Sequence, residues 1–264
     1  MAHPATSADV ADLLSTAQAT ARIERRRTTD KKEAFTSFRS TVADLEPSGS
    51  IQTDCTRAST LGETTLVNSQ ATSDSRLHAI RSAYESTVMS VPHYEAEYND
   101  TYPVSVAEEL GPVVASALVQ QTEFHAESKQ RLLEMVAIAI DVRERFLTQL
   151  DREVDSLKRA VETLTPIITE VTSLADECFQ AVGFGTLEAF RTQMTTLGDQ
   201  CESTAQRRQR VINAHETLHL NDVDLPTYLY QDLSVSYPVL AGVGQLLNRF
   251  ESLRRRVDSE IAAL

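Results

Sequence analysis

From Leu133 to Cys178 the chain reads LEMVAIAIDVRERFLTQLDREVDSLKRAVETLTPIITEVTSLADEC. Within it, spacings of three and four alternate through Leu133, Val136, Ile140, Arg143, Leu147, Leu150, Val154, Leu157, Val161, Leu164, Ile168, Val171, Ala175 and Cys178. That alternation keeps one apolar seam on one side of a helix and fits no strand, whose side chains repeat every second residue. A single helix over this stretch is roughly 70 Å long, which places it among coiled coils rather than short globular helices. Arg143 alone interrupts the seam, and Thr165-Pro166 is expected to bend or restart the helix on its outer face.

Downstream, Val182-Gly183-Phe184-Gly185 supplies two glycines for a chain reversal, and Thr186 is placed to cap a second helix. Leu187, Phe190, Met194, Leu197, Cys201, Thr204, Arg208, Val211, His215 and Leu218 then repeat the same alternation to about Leu220. A short connection between two such helices predicts an antiparallel hairpin, with reversal about Phe184 to Gly185 setting His215 opposite Val154. After a turn at Asn221 to Leu225, Pro226 and Pro238 suit first helical positions, and Val239, Val243, Leu246, Phe250, Leu253, Val257 and Leu264 form a third seam. Toward the N-terminus, Asp74 is a candidate cap for a helix to about Ser90 ended by Pro92, and Val104 to Gln120 reads as a helix interrupted at Gly111-Pro112. Ala8 to Leu45 is a polar helix on Val10, Leu13, Leu14, Ala17, Ala21, Phe35, Phe38 and Val42, expected to be solvated around Arg25-Arg26-Arg27.

The expected fold is therefore all-α, an elongated helical bundle or antiparallel coiled-coil hairpin. Its expected parts are an N-terminal helix over residues 1–45, a flexible Ser-, Thr- and Gly-containing linker over 46–73, and a helical coiled-coil domain over 74–264. Eight Gly, eight Pro and no Trp in 264 residues leave too few turn-formers for a sandwich of many short strands.

The formal charge is −13, and lysine is confined to Lys31, Lys32, Lys129 and Lys158, so arginine carries nearly all the positive charge. An acidic, lysine-poor surface repels itself in dilute buffer and is relieved where concentrated salt screens it, which predicts a halophilic setting. Cys55, Cys178 and Cys201 are odd in number and unpaired in spacing, so reduced thiols are expected. The start of the chain lacks a basic segment followed by an apolar run, and no stretch of about 18 apolar residues occurs, so a cytoplasmic protein without membrane association is expected.

Three groupings bear chemistry. His215-Glu216-Thr217-Leu218-His219 is an HExxH pattern, which on a helix sets two imidazoles one turn apart beside a glutamate able to activate zinc-bound water. Hairpin pairing brings Asp151 and Asp155 within reach as a further carboxylate ligand, although His215 falls on the seam, where a neutral imidazole is an ordinary occupant. Val91-Pro92-His93-Tyr94-Glu95-Ala96-Glu97-Tyr98 gathers His93, Tyr94 and Tyr98 in a loop that serves either as an interaction or small-ligand site or as packing on a bundle end. The tyrosines Tyr228, Tyr230 and Tyr237 form a second such group. Arg25-Arg26-Arg27, Arg207-Arg208 with Arg210, and Arg254-Arg255-Arg256 are interleaved with acids, which argues for solvated faces over nucleic-acid binding.

Ile80-Arg81-Ser82-Ala83-Tyr84, the Val91-Pro92-His93-Tyr94 element with Glu97-Tyr98, Glu108-Glu109-Leu110-Gly111-Pro112 and Tyr228-Leu229-Tyr230 through Tyr237-Pro238 resemble a haloarchaeal family of helical proteins whose domain has no known function. The resemblance runs from about Arg76 to the C-terminus and implies a salt-adapted helical fold, with no activity, cofactor or partner attached. The functional expectation is a non-enzymatic helical scaffold or regulatory protein that binds a protein partner or itself, possible as a homodimer, without cofactor or resident metal. The alternatives are a zinc-dependent hydrolase on His215, Glu216 and His219, and a small-ligand sensor at the His93 loop.

Overall fold

The computed structural model describes residues 7–47, 65–120, 123–177, 179, 182–215 and 224–264. Among these residues there are nine α-helices and no strand: α1 (Ser7–Asp44), α2 (Thr65–Thr87) leading into a 3₁₀ turn (Val88–Ser90), α3 (Tyr94–Glu97), α4 (Tyr102–Leu110), α5 (Pro112–Gln120), α6 (Ala126–Asp176), α7 (Phe184–Ala214), α8 (Leu225–Leu229) and α9 (Pro238–Ala263). The protein is all-α, as the periodicity predicts.

Several expected boundaries move. α2 begins at Thr65, so the last part of the expected linker is helical and Asp74 lies inside the helix. Thr and Ser cost a helix only tenths of a kcal/mol each, so their abundance does not prevent one. Residues 48–64 lie outside the described residues. Gly111 does end α4, at φ +88°, a left-handed value that suits glycine, and Pro112 opens α5. Pro166 does not stop α6, which continues through it to Asp176. α7 starts after Gly183 with no side-chain cap, so Thr186 is not the capping residue, and it ends at Ala214 rather than near Leu220.

Contacts group the chain into two compact units, Met1–Arg25 with Thr148–Leu264, and Arg26–Leu147. These divisions fall at other places than the composition suggests, and α1 and α6 each contribute to both units. In the first unit, Glu153 to Arg208 and Glu170 to Gln193 link α6 and α7 in antiparallel order, giving the expected hairpin. α9 packs along α7, with Arg191 near Asp258 and Gly198 against Leu247. Gly242 of α9 lets α1 approach closely, since a Cβ there would stand 3.1 Å from Val10. In the second unit, Phe35, Phe38 and Val42 of α1 pack with Ile80, Tyr84, Val88, Val106, Leu110 and Val136. There the N-terminal helix is part of the core.

The α9 seam is buried at Val239, Val243, Leu246, Phe250, Leu253 and Val257, but Leu264 is exposed. On α1 the middle is not wholly solvated, because Thr28 and Lys31 continue the buried alternation between Ala21 and Phe35. On α6 the buried set includes Leu132, Val136, Ala139, Leu150, Glu153, Leu157, Ala160, Leu164, Ile167, Val171 and Leu174. Val136, Leu150, Leu157, Leu164 and Val171 stand where the spacing predicts them, whereas Leu133, Ile140, Val154, Val161, Ile168 and Ala175 each sit one residue past the buried one and are half-buried.

The adjacent isoleucines of α6 separate the two readings. Ile167→Ala, at a 1 % exposed position, is expected to cost about 2–5 kcal/mol in denaturant unfolding, and Ile168→Ala less than about 1.5 kcal/mol. Equal losses would contradict the observed seam.

Candidate functional site

The one-residue displacement on α6 places Glu153, not Val154, in the seam. A carboxylate withdrawn from water there requires a counter-charge and hydrogen bonds. Both come from α7, where Arg208 occupies a seam position as the spacing predicts. Its Nη1 donates to Glu153 Oε2 at 2.7 Å and its Nη2 to Oε1 at 2.6 Å, while Nη1 also reaches Ser156 Oγ at 3.0 Å. Tyr230, just after α8, donates its hydroxyl to Glu153 Oε1 at 2.5 Å. Burial, reinforced by the Glu153 carboxylate, pushes the Tyr230 phenol far up, so it stays a protonated donor.

His215 comes directly after α7 with extended backbone, φ −69° and ψ 131°. Its side chain is 1 % exposed, with Nε2 at 3.7 Å from Glu153 Oε2, and neither ring nitrogen has a hydrogen-bond partner among the described residues. Burial lowers its pKa, and Arg208 and Arg152 lower it further against the opposing pull of Glu153 and Asp224. The imidazole is thus neutral near pH 7. Asp224 meanwhile caps α8 through the backbone amide of Thr227 at 2.9 Å and accepts from the Tyr237 hydroxyl at 2.6 Å.

The second unit holds a matching cluster. Glu109 of α4 receives Lys31 Nζ of α1 at 2.7 Å and is paired with Arg143 of α6. Burial pushes the Glu109 carboxyl up, but Arg143 and Lys31 together outweigh it and hold the group below the usual carboxylate range. Lys31 also sits 3.7 Å above the Tyr98 ring, and Arg143 4.5 Å above that of Phe35. The interruption of the α6 seam at Arg143 is thereby accounted for. Beside it, Tyr84 stacks edge-on against Phe38 and Tyr102 and bonds Ser105 through its hydroxyl at 3.1 Å.

Of the HExxH residues, His215 alone is among those described. α7 stops at Ala214, and His215 has extended backbone, so it is not part of that helix. Glu216 and His219 lie outside the described residues, as do Cys55 and Cys178. Asp151 pairs with Arg25 at the surface and Asp155 is exposed, so the carboxylate that meets His215 is Glu153. The described residues contain no group of three His, Cys, Asp or Glu able to hold a metal ion. In the His93 loop, Tyr94 is a core residue at 6 % exposure and Tyr98 lies against it with ring centroids 5.7 Å apart. The Nε2 of His93 and the hydroxyls of Tyr94 and Tyr102 are buried without hydrogen-bond partners among the described residues, whereas those of Tyr228 and Tyr237 reach Glu24 and Asp224. Burial lowers the His93 pKa, an effect that Glu97 opposes and Lys31 and Arg27 reinforce.

Most of the run arginines are exposed, as solvated faces would be, with Arg208 the buried exception, and several also make surface pairs: Arg25 to Asp151, Arg27 to Glu97, Arg254 and Arg255 to Glu251, and Arg256 to the carbonyls of Ala175 and Glu177. Cys201 is a buried thiol whose pKa burial pushes up to about 11. No helix among the described residues is long and apolar enough to cross a membrane.

Arg208→Leu is expected to cost about 3–5 kcal/mol, because it strands Glu153, and Glu153→Leu added to it should recover much of that loss in chemical denaturation. A double variant as unstable as the sum of its singles would contradict the pairing. For pH, the lowered His215 and His93 values mean that the unfolded chain binds protons first as pH falls below about 6.5, so stability declines there. A second decline runs from the ordinary carboxylate range downward, because folded Glu109 resists a proton that the unfolded chain accepts. His215→Gln should reduce the first decline and leave the second, which pH-dependent melting would show.

No curated protein and no solved structure matches the chain. Residues 12–254 match a family described as domain of unknown function DUF7260, a match that begins well before Arg76 and takes in most of α1. The chain belongs to the DUF7260 family.

Proposed function

We propose that this protein is a non-enzymatic helical scaffold of a salt-adapted cytoplasm, acting by presenting helix surfaces to a protein partner or to a second copy of itself. The observation that carries the reading is the use made of its buried charges. Glu153 is engaged on both oxygens by Arg208 and Tyr230, and Glu109 by Lys31 and Arg143. Groups committed in this way hold helices in register, as polar residues in coiled-coil seams do, and have little capacity left to attack a substrate or ligate a metal. A cationic guanidinium beside His215 also works against the zinc-hydrolase reading, since a dication there adds charge to charge.

Salt adaptation is supported by the treatment of lysine. Lys31 and Lys32 pair with Glu109 and Glu144, and Lys129 donates to the carbonyls of Ala43 and Leu45. With four lysines among 25 basic residues, the net charge of −13 stands with arginine carrying nearly all the positive charge. Nucleic acid is a poor partner for such a surface, because the arginines that phosphate needs are already paired with carboxylates.

A thermal-shift screen tests the proposal. Zinc, other divalent ions and common nucleotides should leave the melting temperature unmoved, whereas raising KCl from dilute to multimolar should increase it by screening self-repulsion. A zinc-induced rise that disappears in His215→Ala would overturn the non-enzymatic reading.

A further inference from the structure

α6 carries a second stripe, separate from its buried seam. Glu127, Arg131, Met135, Ile138, Val142 and Arg145 succeed one another at steps of three and four, and so share one face of the helix. Met135, at the edge of that face, is partly buried against the core that holds Val136 and Ala139, whereas Ile138 and Val142 lie on its open side. Ile138 is 54 % exposed and Val142 55 % exposed, and these adjacent β-branched side chains lie open at its centre. At its N-terminal end the stripe borders a cleft of about 930 Å³ between α5 and α6, lined in part by Val113, Glu127 and Arg131, where Val113 is 59 % exposed. Isolated exposed apolar residues are ordinary, but a run of them on the register of a coiled-coil seam marks a helix-packing surface.

We propose that this stripe is the contact between two copies of the chain, paired antiparallel through α6. The inference rests on the scaffold reading and names its partner. The charges on the stripe choose the occupant and its direction. An acid, Glu127, stands at one end and a base, Arg145, at the other. Antiparallel pairing about a point between Met135 and Ile138 brings each Glu127 beside Arg145 of the second copy, and each Arg131 beside the second copy's Asp141. Met135 and Ile138 of the two copies meet between the Arg131–Asp141 pairs, and Val142 lies beside the aliphatic stem of the second copy's Arg131. Parallel pairing sets like charges together. The existing bond of Arg145 to Asp141 is a 2.6 Å exposed i,i+4 pair, weak enough to exchange for an intermolecular one.

Sedimentation equilibrium of the full chain, at the lowest KCl concentration that keeps it folded, tests the pairing. The expected result is a dimer that Glu127→Arg or Arg145→Glu alone weakens by about tenfold or more, and that the two substitutions together restore to within a few-fold. Ile138→Glu should yield a monomer with unchanged helical circular dichroism. A wild-type chain that stays monomeric, or a double variant no tighter than its singles, overturns the proposal. Such a monomer leaves the scaffold reading standing, because that reading falls on the ligand screen instead.

Discussion

The structure of the first unit depends on Glu153 being withdrawn from water in the middle of a long helix. A single carboxylate in that position is untenable alone, and its partners dictate what must surround it. Arg208 has to come from a neighbouring helix in one register, Tyr230 has to be brought in by the turn after α8, and Ser156, one turn along α6, accepts a further bond from Arg208 Nη1. Apolar layers on either side, such as Leu150 and Leu157 on α6 and Cys201 and Ile212 on α7, are tolerant of sliding. The charged layer is not, since a shift of one turn leaves a buried carboxylate facing methyl groups.

The second unit repeats the device with other parts. Glu109 on a short helix draws Lys31 from α1 and Arg143 from α6 to one point, so three helices are keyed together by one carboxylate. Around it the stabilising term is ordinary burial of Phe35, Phe38, Tyr84 and Val106, each contributing on the order of 1.5–3 kcal/mol. Division of labour results from the physics: apolar burial is strong and unspecific, and the buried ion pairs add little net energy while excluding alternative registers. An interaction protein whose surface must be presented in fixed geometry has use for that combination.

Much of this was legible in the residues. The α9 seam from Val239 to Val257, the hairpin of α6 and α7, the break at Gly111-Pro112 and the absence of strand among the described residues follow from periodicity and turn chemistry. The candidate site was not, and for one reason. A search for apolar residues at steps of three and four selects Val154 and passes over Glu153, selects Leu133 and Ile168 over Leu132 and Ile167, and leaves a gap on α1 where Thr28 and Lys31 are buried. On α1, strict continuation of the heptad regardless of polarity finds Thr28, seven residues past Ala21, and Lys31, seven before Phe38; on α6 both series repeat every seven residues, and apolar content selects the less buried one. Of the HExxH pattern only His215 falls among the described residues, just past the end of α7 at Ala214. Tyr94 and Tyr102 show a further limit, since their rings are buried as aromatic loops suggest but their hydroxyls take no partner among the described residues.

The Glu153–Arg208 pair fixes how α6 and α7 face each other, and spin-label distances measure that directly. Nitroxides at exposed Arg159 and, in turn, Glu202 or Arg210 distinguish the register observed from the one that sets His215 opposite Val154, the two differing by about 12 Å along the helix. The observed register should give the shorter separation from Arg159 to Glu202. A shorter separation from Arg159 to Arg210 contradicts it.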